Sequence, residues 1–197
     1  MKKLAFVVIL LFVTVSSIEI VSASSVQADE QQELSIVEAI ELANPAALKW
    51  DKSAQLLMAI NIDLDKPWTS IGSNGKRKNW NILFGVPDTN KSYVVTIHEG
   101  KIDHSDDYTV DGTSPYPKKE FIQINDIKYD SPEMLKKARS MGYIYPGKDW
   151  GKGYNFMLSK DTERDIPLLI VIGWNNDQTK MEAAGFNAST GEYIQPK

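Results

Sequence analysis

The only two histidines, His98 and His104, lie close together and are interleaved with Glu99, Asp103, Asp106 and Asp107. Imidazole and carboxylate ligands suit divalent metal ions. The spacing does not. The helical two-histidine zinc motif is absent. The segment 103–112 lacks the alternate carboxylates and sixth-position glycine of a calcium loop. A solvated acidic loop without metal is the expectation. A serine triad would have to use one of these histidines, and neither sits beside a recognisable nucleophile segment. Gly72-Ser73-Asn74-Gly75 has the wrong spacing for a nucleophile elbow. Gly147, Gly151 and Gly153 are scattered among Lys148, Asp149, Trp150 and Lys152, with no strand-to-helix crossover to form a phosphate loop. The chain has no cysteine, which excludes thiolate zinc, a cysteine nucleophile, disulfides and a lipid-modified cysteine. Any two acids can meet in space for glycoside cleavage, but nothing singles out a pair. The residues therefore indicate no catalytic group, no metal and no cofactor.

Aromatic residues carry more information. Five tryptophans (Trp50, Trp68, Trp80, Trp150 and Trp174) and eight tyrosines occur in 197 residues. A tryptophan offers a large apolar body and one donor, which suits binding faces as well as cores. Trp68 follows Pro67, and Trp150 lies in Pro146-Gly147-Lys148-Asp149-Trp150-Gly151, both expected as loops. Trp68, Tyr143, Tyr145 and Trp150 are the candidate platform for a peptide or glycan; the competing expectation is that these rings cap the core. Trp80 and Trp174 are expected inside it. Lys76-Arg77-Lys78 is the one dense basic run, either a contact to an anionic wall polymer or a solvated hairpin tip. A net charge of −4 argues against nucleic acid as a partner.

Several elements must position these residues. Met1-Lys2-Lys3, an apolar run from Leu4 to Val15 and small residues beyond it have the layout of a secretory signal peptide. Cleavage is expected after Ala23 or Ala28. Loss of Lys2, Lys3 and Glu19 then takes the net charge from −4 to −5. No later stretch reaches membrane-spanning length, so no stable span is expected after cleavage.

Ser35-Ile36-Val37-Glu38 fits a capping box, and Ile36, Ile40, Ala43 and Ala47 repeat at helical spacing. A helix is expected from about 36 to 43, with Asn44-Pro45 opening a kinked continuation to about 50. Strands follow around 56–64, 80–86 and 93–97, each alternating apolar and polar. The acidic, proline-containing stretch 103–119 is expected as a linker or long loop. Beyond it, Asp130-Ser131-Pro132-Glu133 opens a second helix that Gly142 stops. Leu168 to Trp174 is apolar on both faces, as in a central strand. The expected division is a signal peptide over 1–28, a helix-plus-sheet unit over 29–102, the linker over 103–119 and a second such unit over 120–197. Trp80-Asn81-Ile82-Leu83-Phe84 matches Tyr154-Asn155-Phe156-Met157-Leu158, and Tyr93 to Ile102 parallels Phe186 to Ile194, which suggests an internal repeat.

The closing segment, Phe186-Asn187-Ala188-Ser189-Thr190-Gly191-Glu192-Tyr193-Ile194, resembles the PepSY domain, in which an aspartate-alanine-x-threonine-glycine turn joins two strands. Asn187 stands here where that family usually has aspartate. The resemblance implies an α+β fold of two tandem units, each a helix packed on an antiparallel β-meander. It also implies a non-catalytic binding or inhibitory module. The expected function is thus a secreted, non-enzymatic protein that binds an extracellular protein or peptide, a protease among the candidates, with a cell-wall glycan as the alternative partner.

Overall fold

The computed structural model describes residues 32–62, 69–149 and 151–195. The expected signal segment, Trp68 and Trp150 lie outside them. Two helices, α1 (Ile36–Trp50) and α2 (Ser131–Ser140), accompany eight strands: β1 (Gln55–Asn61), β2 (Asn79–Gly85), β3 (Ser92–His98), β4 (Lys101–Asp107), β5 (Asn155–Asp161), β6 (Ile166–Trp174), β7 (Met181–Asn187) and β8 (Tyr193–Ile194). All eight strands form one antiparallel sheet in the order β4-β3-β2-β1-β5-β6-β7-β8.

This corrects the expectation of two tandem units. β1 pairs with β5 through Met58↔Ser159, Ala59↔Leu158 and Ile60↔Met157, so the sheet runs without interruption across the middle of the chain. Buried residues of α1 (Ile36, Ile40), α2 (Met134, Leu135) and strands from both halves (Trp80, Phe84, Phe156, Phe186) share a single core. Alternating apolar strands announce a buried face but not their neighbours. The two segment matches behind the suggested repeat do not share one alignment of strands. The first match equates β2, the second strand of its half, with β5, the first of the other. The second match equates β3 with β7, third with third. The expected linker 103–119 also begins as ordered strand, since β4 runs through Asp107.

Local chemistry explains both helices. Ser35 and Glu38 form the expected capping box on α1, and Asp130 and Glu133 form one on α2. Contrary to expectation, α1 continues through Pro45 without a second cap at Asn44. An internal proline forfeits one backbone hydrogen bond. Burial of Ile36, Ala39, Ile40, Ala43 and Ala47 along one stripe holds the helix through that loss. The two helix starts are tied together. The Ile36 amide donates to Ser131 Oγ (3.0 Å), the Val37 amide donates to Asp130 Oδ1 (3.2 Å), and Ser131 Oγ donates to the Gly75 carbonyl (2.7 Å).

The basic run is spent inside the fold, which corrects its reading as a hairpin tip or polyanion contact. Arg77 is 1% exposed and Lys78 is 6% exposed. Arg77 donates to the carbonyls of Lys152 and Tyr154 (both 3.1 Å). Burial pushes its guanidinium down to about 10, against the favourable charge of Glu33. Lys78 Nζ donates to Thr69 Oγ1 (2.8 Å) and lies 3.7 Å from Glu99. Trp80 is fully buried, as expected, with its Nε1 donating to the carbonyls of Leu34 and Arg77.

One continuous core predicts one unfolding transition. Ala59, fully buried in β1, faces that core. Ala59→Asp should lower the denaturation midpoint and move tryptophan fluorescence and far-ultraviolet circular dichroism together. Two separated transitions would show that the halves fold independently. At the far end of β5, the Arg164 amide and guanidinium hold the Asp161 carboxyl below the usual carboxylate range. A depressed carboxylate stabilises the fold above its unfolded pKa and loses that contribution as the pH falls. Asp161→Asn should therefore lower the melting temperature at pH 7 and leave it unchanged near about pH 2, where both forms are neutral.

Candidate functional site: the second face of the sheet

A strand sends alternate side chains to opposite faces. In this sheet one set, including Trp80, Ile82, Val95, Leu158, Leu169 and Val171, enters the core beneath the helices. The register assigns the other set to the second face. Val94, Leu83 and Met58 lie side by side across β3, β2 and β1. Ile60, Met157 and Ile170 continue the row across β1, β5 and β6. Ile172 and Trp174 extend it along β6, flanked by Ala183 and Met181 on β7. None of these side chains belongs to the core, and each is half-buried or exposed. Neither described helix buries a residue against them.

One end of this face is already closed. Leu57, at the bulge in β1, and Phe121 are both buried, and a Cβ at Gly85 would come within 2.9 Å and 3.3 Å of them. The adjoining Ile122 amide donates to the Leu56 carbonyl (2.8 Å), which anchors that segment to the end of β1. The chain thus lays one aromatic ring over the end of the face and leaves the middle without cover from the described helices.

The β4 border is polar. Asp106 pairs across from Val94, and His104 from Thr96. His104 Nδ1 lies 2.9 Å from Asp103, and Nε2 lies 4.0 Å from Asp106. All three residues are exposed. Among the described residues, no three histidine or acidic side chains are placed to hold a metal ion. Inside this border, Thr96 Oγ1 donates to Asn81 Oδ1 (2.9 Å), a satisfied polar pair beside the apolar rows.

Of the four residues expected as an aromatic platform, Tyr143 and Tyr145 are described. Tyr143 packs against the core, and its hydroxyl lies 3.5 Å from that of Tyr193 on β8. Burial pushes Tyr143 up to about 12, reinforced by the Tyr193 hydrogen bond and by the charges of Tyr193 and Glu182. Tyr145 is 37% exposed and donates from its hydroxyl to the Gly142 carbonyl (3.0 Å). Its backbone exchanges two hydrogen bonds with Trp174 (2.7 and 2.8 Å). Trp174 is half-exposed rather than in the core as expected. Its ring lies against Gly147, where a Cβ would stand 2.6 Å from Trp174 Cδ1, so that position requires glycine.

Sequence reasoning missed the second face as a site. The signal was present in β6, whose run Leu168 to Trp174 is apolar at every position except Gly173. That pattern reads as a strand buried on both sides. Here only the first face is buried.

Comparison with known proteins adds the fold. No protein-family model matches the chain, and no curated protein matches it. A solved structure from Clostridium difficile 630, of a protein provisionally designated a lipoprotein, superposes with a TM-score of 0.57 at 15% sequence identity. The match covers 84% of this chain and 95% of that one. At this identity the likeness shows a shared fold.

The tyrosine pair is directly testable. Tyr193→Phe removes the partner hydroxyl and its charge, and should return Tyr143 toward the ordinary phenol range. Phenolate absorbance during an alkaline titration measures this. An unchanged high-pH tyrosine in the variant would show that Tyr193 does not contribute.

Proposed function

We propose that this protein is an extracytoplasmic, non-enzymatic binding protein whose second sheet face receives a polypeptide partner. The observation that carries the reading is the apolar expanse running from Val94 through Met58 and Met157 to Ile172, outside the core and without cover from either described helix. Contiguous apolar surface left outside a core marks interaction sites. Methionines, of which Met58, Met157 and Met181 lie here, adapt to varied partner shapes. The signal-like N-terminus and the lipoprotein designation of the structural neighbour support a place outside the cytoplasm. With no cysteine in the chain, a lipid of the kind that designation names has no acceptor here.

Charge narrows the partner. Asp103 and Asp106 border the apolar rows, and the chain is acidic overall. Complementarity favours a polypeptide that presents alternating apolar side chains followed by lysine or arginine. Such a segment buries its apolar side against Met58, Met157 and Ile170 while its cation meets the β4 border. An extracellular protease exposing such a surface is the specific partner class that the PepSY resemblance implies.

An array of immobilised extended peptides tests this reading with the mature protein. Peptides with alternating apolar residues and a basic end should bind in a saturable way, and their acid-ended counterparts should not. Ile170→Asp should keep the cooperative melt, since Ile170 lies outside the core, and should weaken binding at least about tenfold, or 1.4 kcal/mol. Equal binding by Ile170→Asp, or a preference for acid-ended peptides, would overturn the proposal.

A further inference from the structure

A second candidate site lies on the helix side. A depression of about 430 Å³ is walled by Pro132, Leu135, Lys136, Arg139 and Ser140 of α2 and by Ser73 and Asn74 of the β1–β2 connection. That size falls within the range of small-ligand sites. Its two walls are fixed to each other. Ser131 Oγ donates to the Gly75 carbonyl (2.7 Å), and a Cβ on Gly75 would stand 2.3 Å from Pro132 Cα. The mouth therefore does not depend on loose loops for its shape.

The charged residues that wall this depression are both cations, Lys136 and Arg139. Several other cations meet a carboxylate: Lys76 meets Glu38, Lys91 meets Asp51, Lys160 meets Asp165, Arg164 meets Asp161 and Lys180 meets Glu182. Lys137, between the two pocket cations in sequence, donates to the Gly191 carbonyl (2.7 Å) and lies over the Tyr129 ring. Lys136 and Arg139 have no carboxylate partner among the described residues. Three residues apart, they share one side of the helix, where like charges repel. The acid nearest in the hydrogen-bond network, Glu33, is held by Asn74 Nδ2 (2.8 Å) and faces the charge of buried Arg77. Asn74 Oδ1 is committed to the Lys76 amide. The Ser140 hydroxyl is committed to the Lys137 carbonyl. The remaining donors are the Lys136 ammonium, the Arg139 guanidinium, the Ser73 hydroxyl and the second Asn74 amide hydrogen. Leu135 and Pro132 add an apolar patch beside them.

We infer that this depression binds a phosphate group carried on a short organic stem. A guanidinium fork, an ammonium and a hydroxyl suit the several oxygens of a phosphate better than the two of a carboxylate. Leu135 and Pro132 take the stem. The same chemistry is offered by a free phosphomonoester and by one unit of a phosphodiester polymer. This site is independent of the second sheet face, and its failure leaves the polypeptide reading untouched.

Amide chemical shifts of the mature protein, titrated with glycerol 3-phosphate, synthetic poly(glycerol phosphate), inorganic phosphate and acetate, test the proposal. Saturable shifts confined to Ser73, Asn74, Leu135, Lys136 and Arg139 are expected for the phosphates, with acetate at least about tenfold weaker. Lys136→Gln with Arg139→Gln should abolish them, whereas Lys148→Gln on a distant loop should not. Ser73→Ala should weaken binding several-fold, and it provides a second variant if the double one unfolds. Tighter binding of the polymer per phosphate assigns the source as a polymer; parity assigns it as the free ester. Shifts spread over all lysines, equal response to acetate, or no saturation by about 10 mM would overturn the inference and leave the two cations as partners of the α2 dipole alone.

Discussion

The whole architecture depends on the three residue pairs that join β1 to β5. Met58↔Ser159, Ala59↔Leu158 and Ile60↔Met157 carry the ladder across the centre of the sheet. Without them there would be two four-stranded meanders, each with a short edge and half a core. With them, Ala59 and Leu158 become the middle of one hydrophobic layer, and both helices can pack into it. The polar knot of Ser35, Asp130, Ser131 and Gly75 reinforces the seam from the helix side, because each helix start borrows partners from the other half of the chain. Buried donors at a helix start are costly when unsatisfied, so this exchange fixes the helices to each other as well as to the sheet.

The seam also explains the position of the candidate site. An eight-stranded sheet has two broad faces, and two helices of 15 and 10 residues are placed on one of them. The second face keeps apolar residues at positions where a solvated antiparallel sheet would carry polar ones. Phe121 and Leu57 close one end of it, which shows that this surface accepts an aromatic ring from a crossing segment.

Much of this was legible in the chain and some was not. Local chemistry gave the capping box of α1, the start of α2 at Asp130-Ser131-Pro132-Glu133, the glycine stop after α2 and the tight turn at Asn187. There Asn187 Oδ1 accepts from the Ser189 amide, and its carbonyl accepts from Gly191. Such signals act over three or four residues and survive without tertiary context. The single sheet was illegible because alternation does not encode which strands are neighbours. Burial of Arg77 and Lys78 was illegible because three consecutive cations resemble solvent-facing residues, and only the fold supplies the carbonyls and carboxylate that receive them. Tyr143 and Tyr145 came from composition alone. In the structure Tyr143 meets Tyr193 of β8 and Tyr145 pairs with Trp174.

The acidic strand β4 has a further consequence, for self-association. At the end of the sheet order, it pairs with β3 on one side and with no further strand among the described residues, and strand edges of that kind recruit other strands. Its side chains Asp103, His104, Asp106 and Asp107 are all exposed. Two copies meeting there would set carboxylate against carboxylate. The strand thus acts as a guard against pairing between the edges of two copies. Because the guard consists of side chains and not of a covering segment, neutral residues at Asp103, Asp106 and Asp107 would leave this row of backbone groups open to pairing with another strand.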